Sequence, residues 1–140
     1  MDKAGAIAIE IEPAAITTGN VLPLLHELQH ALLRFQIDGS EHCIDVNSLP
    51  LSEQDHRQLE SVLGRGEVHA RLQALGDSEI TETRIPGIWR VVHANAEGAV
   101  VGRFLEVTAC PSILKTQQPD ITDGIAHLQR LIDELPGADQ

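Results

Sequence analysis

Residues 68–109 read VHARLQALGDSEITETRIPGIWRVVHANAEGAVVGRFLEVTA, and this stretch decides the fold. Val68, Ala70 and Leu72 alternate with Glu67, His69, Arg71 and Gln73, a period of two that turns one face inward and the other to water if the segment is extended. Gly76-Asp77 predicts a turn, and the Thr-rich, charged residues 80–85 read as a half-exposed strand. Pro86-Gly87 ends that strand before the apolar run at residues 88–92. Asn95-Ala96-Glu97-Gly98 turns the chain into a last strand at residues 99–109, closed by Pro111. Four successive strands joined by short turns predict an antiparallel meander.

Outside this stretch the period changes. Val21, Leu25, Leu28, Leu32 and Phe35 recur at three-and-four spacing, after a capping candidate at Asn20 and before Gly39, which predicts an amphipathic helix. Residues 42–46 read as a short buried strand broken by Asn47-Ser48-Leu49-Pro50. Ser52 followed by Asp55 forms a capping pattern for a second helix carrying Leu59, Val62 and Leu63. Asp120 predicts the cap of a third helix with the stripe Ile121, Ile125, Leu128, Ile132 and Leu135, stopped by Pro136-Gly137. The fold class is therefore α+β: a mostly antiparallel sheet of one strand plus a four-strand meander, with about three helices packed against it. At 140 residues this is expected to be a single domain, with residues 1–18 and 136–140 less ordered.

Composition narrows the function classes. A net charge of -11, with ten scattered Lys and Arg, leaves no electrostatic footprint for nucleic acid. No apolar run approaches the roughly 20 residues needed to span a bilayer. The Ala-Gly-Ala-Ile-Ala-Ile run near the start is flanked by Asp2, Glu10 and Glu12, unlike the basic start of a signal peptide, so a cytoplasmic protein is expected. Cys43 and Cys110 stand alone, which excludes a paired-cysteine redox motif and a four-cysteine zinc site and predicts free thiols.

The residues that invite chemistry are few. His26-Glu27-Leu28-Gln29-His30 matches the zincin pattern, in which two His one helical turn apart bind zinc and the Glu serves as general base, so a small zinc-dependent hydrolase is the alternative reading. Against it, positions 33 and 36 hold Leu and Gln, so the extended metzincin pattern is missing. At about 100° per residue both His also lie roughly 140° to 180° from the apolar stripe and should face solvent. In His42-Cys43-Ile44-Asp45 strand alternation separates His42 from Cys43 and Asp45, so the three cannot converge, and Cys43 reads as a small buried hydrophobe. Gly64-Arg65-Gly66 lacks a following Lys-Ser or Lys-Thr and reads as a turn, not a phosphate loop. Trp89, the sole tryptophan, is either a core anchor or a partner-facing hot spot, and its apolar strand favours the core. No cofactor is called for.

Taken in order, Val21-Leu22-Pro23-Leu24-Leu25-His26-Glu27, Ile44-Asp45 leading to Ser48-Leu49-Pro50-Leu51, and Leu63-Gly64-Arg65-Gly66-Glu67-Val68 resemble the HupH (HyaF) family of hydrogenase expression and formation proteins. Ser78-Glu79-Ile80, Glu82-Thr83, Pro86-Gly87-Ile88-Trp89, and Glu106-Val107 before Pro111 continue the pattern, so the resemblance spans residues 21–131. It implies a non-enzymatic accessory protein for uptake nickel–iron hydrogenases, acting as a chaperone on the precursor of the iron–sulfur small subunit and meeting other maturation proteins. It brings no catalytic motif. Trp89 and the acidic Glu79, Glu82 and Glu106 of the meander are the expected protein contacts, and self-association into a homodimer is a further expectation.

Overall fold

The computed structural model describes residues 18–137. The expectation of looser order at the termini falls, apart from Thr18, Pro136 and Gly137, outside the described residues, as does the reading of the opening apolar run. Contacts gather the chain into two compact units, Met1–Ala109 and Cys110–Gln140.

The first unit is built on a five-stranded antiparallel sheet. Its strands are β1 (His42–Asp45), β2 (His69–Leu72), β3 (Ser78–Glu82), β4 (Ile88–Ala94) and β5 (Val100–Val107), in the order β1-β5-β4-β3-β2. The meander is thus continuous from β2 to β5, and β1 joins it at the free edge of β5. β3 begins before the Thr-rich stretch, at Ser78, and ends earlier than that stretch suggests because Thr83 is recruited to the following turn. Its buried hydroxyl donates to Ile88 O (2.8 Å) and accepts from Ile85 N (3.2 Å), closing the loop through Pro86-Gly87. At the β4–β5 turn the Asn95 side chain accepts from both Glu97 N and Ala99 N, and Gly98 takes the left-handed φ of +88° that a side chain disfavours.

Two helices cover one face. α1 (Val21–Asp38) buries Val21, Leu24, Leu28 and Ala31, and ends at Gly39, whose φ is +78°. Asn20 stands at its N-cap, but the Asn20 amide donates to Pro50 O rather than to the helix, so the expected side-chain cap is replaced by a tie between two loops. α2 (Glu53–Leu63) starts with a full capping box, Ser52 Oγ accepting from Asp55 N and Asp55 accepting from Ser52 N. Such a box is worth about 1 kcal/mol. Asp55 is fully buried and also accepts from Thr18 N and the Thr18 hydroxyl. The Thr18 hydroxyl first, and the Ser52 backbone N–H second, hold its carboxyl down at about 2. Leu24, Leu28, Leu59 and Leu63 of the helices meet Ile44, Ile88, Leu105 and Val107 of the sheet in one core. Each fully buried side chain of this kind stabilises by about 1.5–3 kcal/mol.

In the second unit α3 (Gln118–Asp133) follows a short 3-10 turn at Ser112–Leu114. Asp120 is not its cap: Gln117 holds that position, and Asp120 lies in the first turn. Pro119 accounts for the earlier start, since its fixed φ and missing N–H suit the first helical positions. The stripe of Ile121, Ile125, Leu128, Ile132 and Leu135 is exposed.

Candidate functional site

Because side chains alternate along each strand, the register of the sheet sorts the expected contact residues onto its two faces. Trp89 is directly opposite Glu82 on β3 and Glu106 on β5, and Glu106 is opposite Cys43 on β1. Glu82, Trp89, Glu106 and Cys43 therefore form one row across four strands, on the face turned away from α1 and α2. The next row holds Ile80, Val91 and Phe104. Trp89, Ile80 and Val91 form a small second core flanked by Ala70 and Phe104. Trp89 is 7% exposed, and its indole N–H donates to Thr108 O at 3.2 Å. Glu79 is separate. It pairs with Val92 on the helix-bearing face, exposed and 3.5 Å from His69.

The row is acidic around its tryptophan. Glu82 is half-buried and its carboxylate accepts from Glu67 N, while Gly66 N donates to Glu82 O, so the glycine turn after α2 is fastened to β3. Burial first, and the negative charge of Glu41 second, raise the Glu106 carboxyl above its ordinary range. Cys43 corrects the reading of a buried hydrophobe: the thiol is exposed. β1 is an edge strand whose inward residue, Ile44, meets the helices, and alternation sends Cys43 to the face that they do not cover. Partial desolvation by its strand neighbours, then the charges of Glu106 and Asp45, raise its pKa, which disfavours the reactive thiolate. Cys110 is half-buried and also free of a disulfide.

On α1, His26, Glu27 and His30 are exposed, on the side away from the buried stripe. Glu27 is 2.9 Å from His42 Nε2 and is engaged in that pair. Among the described residues no group of three or more His, Cys, Asp or Glu side chains is arranged to hold a metal ion. Two features escaped the sequence reading. One is an apolar groove of about 540 Å³ between Leu32, Leu33 and Phe35 of α1 and Pro86-Gly87. Its signal was Leu33, apolar but one position off the buried stripe. The other is Arg90, a charge inside an apolar strand run, on the helix-bearing face between Ile88 and Val92.

An open antiparallel sheet with helices on one face and an acidic, tryptophan-centred row on the other defines an α+β protein. The particular family is given by comparison with known proteins: residues 18–135 match the C-terminal conserved region of the HupH hydrogenase expression protein, and the chain belongs to that family. Hydrogenase expression protein HupH from Thiobacillus denitrificans shares 37% identity and superposes with a TM-score of 0.83, covering 86% of this chain and all of that structure. Hydrogenase expression/formation protein HupQ of Azotobacter chroococcum is 34% identical over 83% of this chain and 42% of its own length. Hydrogenase-1 operon protein HyaF of Escherichia coli is 30% identical over 85% of this chain and 41% of its own length. The chain thus spans well under half the length of the curated relatives that it matches. Among the described residues no helix is long and apolar enough to cross a membrane.

Proposed function

We propose that this chain is a non-enzymatic accessory protein in the maturation of an uptake nickel–iron hydrogenase, and that it binds the precursor of the iron–sulfur small subunit in the cytoplasm. The observation that carries the reading is family membership across residues 18–135, with relatives that share hydrogenase expression and formation in their names. In the proposal, residues 1–140 act as one HupH-like domain. Glu82 and Glu106 present one recognition face around the largely buried Trp89, and Glu79 contributes from the other. The acidic row and the net charge of -11 favour encounter with a basic partner segment such as a twin-arginine leader. Other maturation proteins and a second copy of the chain are further partners in this reading.

The zinc-hydrolase alternative needs a third ligand beside His26 and His30, and the described residues supply none. A strain lacking this chain decides between the classes. Hydrogenase activity should fall and be restored both by the wild-type chain and by a variant with His26 and His30 both changed to Ala. Full activity in the deletion strain at every oxygen level tried contradicts the maturation role. Failure of the double variant alone, with the protein folded, favours the metal reading.

A further inference from the structure

Along α3, Ile121, Ile125, Leu128 and Ile132 recur at alternating spacings of four and three, and Leu135 in the turn that ends the helix continues the series. Written as a heptad, Ile125 and Ile132 take position a, and Ile121, Leu128 and Leu135 take position d. All five are exposed, Ile125 at 68% and Leu128 at 58%, and α3 has no buried residue. A 16-residue helix with an interior glycine, Gly124, is marginal alone in water and takes its stability from packing its apolar face. The width of that face separates two kinds of packing. α1, which lies on the sheet, packs the neighbours Leu24-Leu25 and Ala31-Leu32 as well as Leu28, and so buries a broad arc. The α3 stripe is one residue wide except at Leu131-Ile132, the width of a seam between two helices.

The flanks of the seam point to its occupant. Positions e, Thr122 and Gln129, and positions g, Gly124 and Leu131, are all uncharged. The Thr122 hydroxyl donates to Gln118 O at 3.2 Å and the Gln129 amide donates to Asp133 at 2.9 Å, so both polar flanking residues are satisfied within their own helix. Asp120, Asp123, Arg130 and Asp133 fall at positions b, c and f, on the outward side. In a chain with 21 acidic residues, this is the arrangement that lets the helix meet an identical surface, because no like charges face each other across the seam. A basic partner would find no acid to pair with along it. The five seam residues and Leu131 expose roughly 500 Å² of apolar surface per copy, and two copies together reach the roughly 1,000 Å² at which a specific interface begins. We infer that α3 is a self-association surface, the Ile121-to-Leu135 seams of two copies packing against each other in a two-fold helix pair. This gives a surface to the second copy named under the proposed function, and rests on that part of the reading alone.

Sedimentation equilibrium of the purified full chain measures the pair with no hydrogenase component present, so a negative result there and a negative result in the deletion strain fall on different claims. The mass should rise from one chain toward two between about 1 and about 100 µM, as suits an interface near the lower size limit. Added salt should tighten the pair, because two copies of net charge -11 repel each other and the seam holds no charge, whereas a contact with a basic leader weakens with salt. Leu128→Glu, which puts a charge into the seam from each copy, should weaken association roughly a hundredfold or more. Ala126→Glu, at the outward position b of the same helix, should change it by less than about threefold. Urea unfolding followed by Trp89 fluorescence, at about 1 µM where the wild type is monomeric, should give the same midpoint for the wild type and both variants. A chain that stays monomeric up to roughly 300 µM overturns the inference, as does a dimer that Leu128→Glu leaves intact. So does a lower Trp89 midpoint for Leu128→Glu at that concentration, which shows the stripe to be packed within its own chain.

Discussion

Trp89→Ala removes the largest side chain of the second core, and the size of the loss follows from its surroundings. The indole is 7% exposed, packs with Ile80 and Val91, and donates to Thr108 O. Truncating a buried tryptophan to alanine costs about 3–5 kcal/mol in lost burial and residual cavity. Trp89→Phe keeps most of the apolar contact but loses the hydrogen bond, leaving the Thr108 carbonyl without the indole donor, for a cost of about 1–3 kcal/mol. With a urea dependence of about 2 kcal/mol per molar for a chain of this size, the midpoint should drop by about 2 M for alanine and about 1 M for phenylalanine. Because Trp89 is the only tryptophan, the variants must be followed by far-ultraviolet circular dichroism and not by fluorescence. A midpoint that hardly moves for Trp89→Ala while partner binding disappears would refute the reasoning and make Trp89 a surface hot spot.

Two further expectations concern titration. Asp55, held down at about 2 from an ordinary 3.8, contributes stability that is fully present above pH 4 and is lost as the pH falls through about 2. Asp55→Asn should therefore lower the urea midpoint at pH 7, with the gap to wild type shrinking between pH 4 and pH 2; a pH-independent gap contradicts the assignment. Glu106 has the opposite sign, because its raised pKa means that the folded state favours the protonated form and stability falls as the pH rises through that pKa. Glu106→Gln should raise the midpoint modestly at pH 7 and leave it unchanged at pH 4, and a lower midpoint at pH 7 would show that the charge is stabilised.

The elements that could be read along the chain were those whose signal is local. The stripe of α1, the Ser52–Asp55 box of α2 and the turn residues of the meander each act within a few positions, and the α+β class follows from their order. What could not be read was set by pairing across the sheet. The row that joins Glu82, Trp89 and Glu106 depends on the turn that Thr83 closes and on the irregularity between His93 and Ala94, neither of which leaves a periodic trace. Glu79 separates from its three companions for the simplest reason, an odd number in a strand where Glu82 is even. Cys43 was misjudged because small apolar character says nothing about which face the helices cover, and the start of α3 because Pro119 opens the helix before Asp120 can cap it. Arg90 was visible as a charge in an apolar run, but only the structure reveals that its Nη2 is buried without a partner.

The central claim is recognition of a hydrogenase small-subunit precursor, and affinity capture tests it most directly. The tagged chain, expressed with the cognate hydrogenase, should retain the precursor that still carries its leader more strongly than the leader-cleaved subunit. Because any leader contact is electrostatic, that preference should weaken as salt screens charges beyond about 8 to 10 Å. Recovery of neither form at low salt, from cells in which both are detected, would contradict the account.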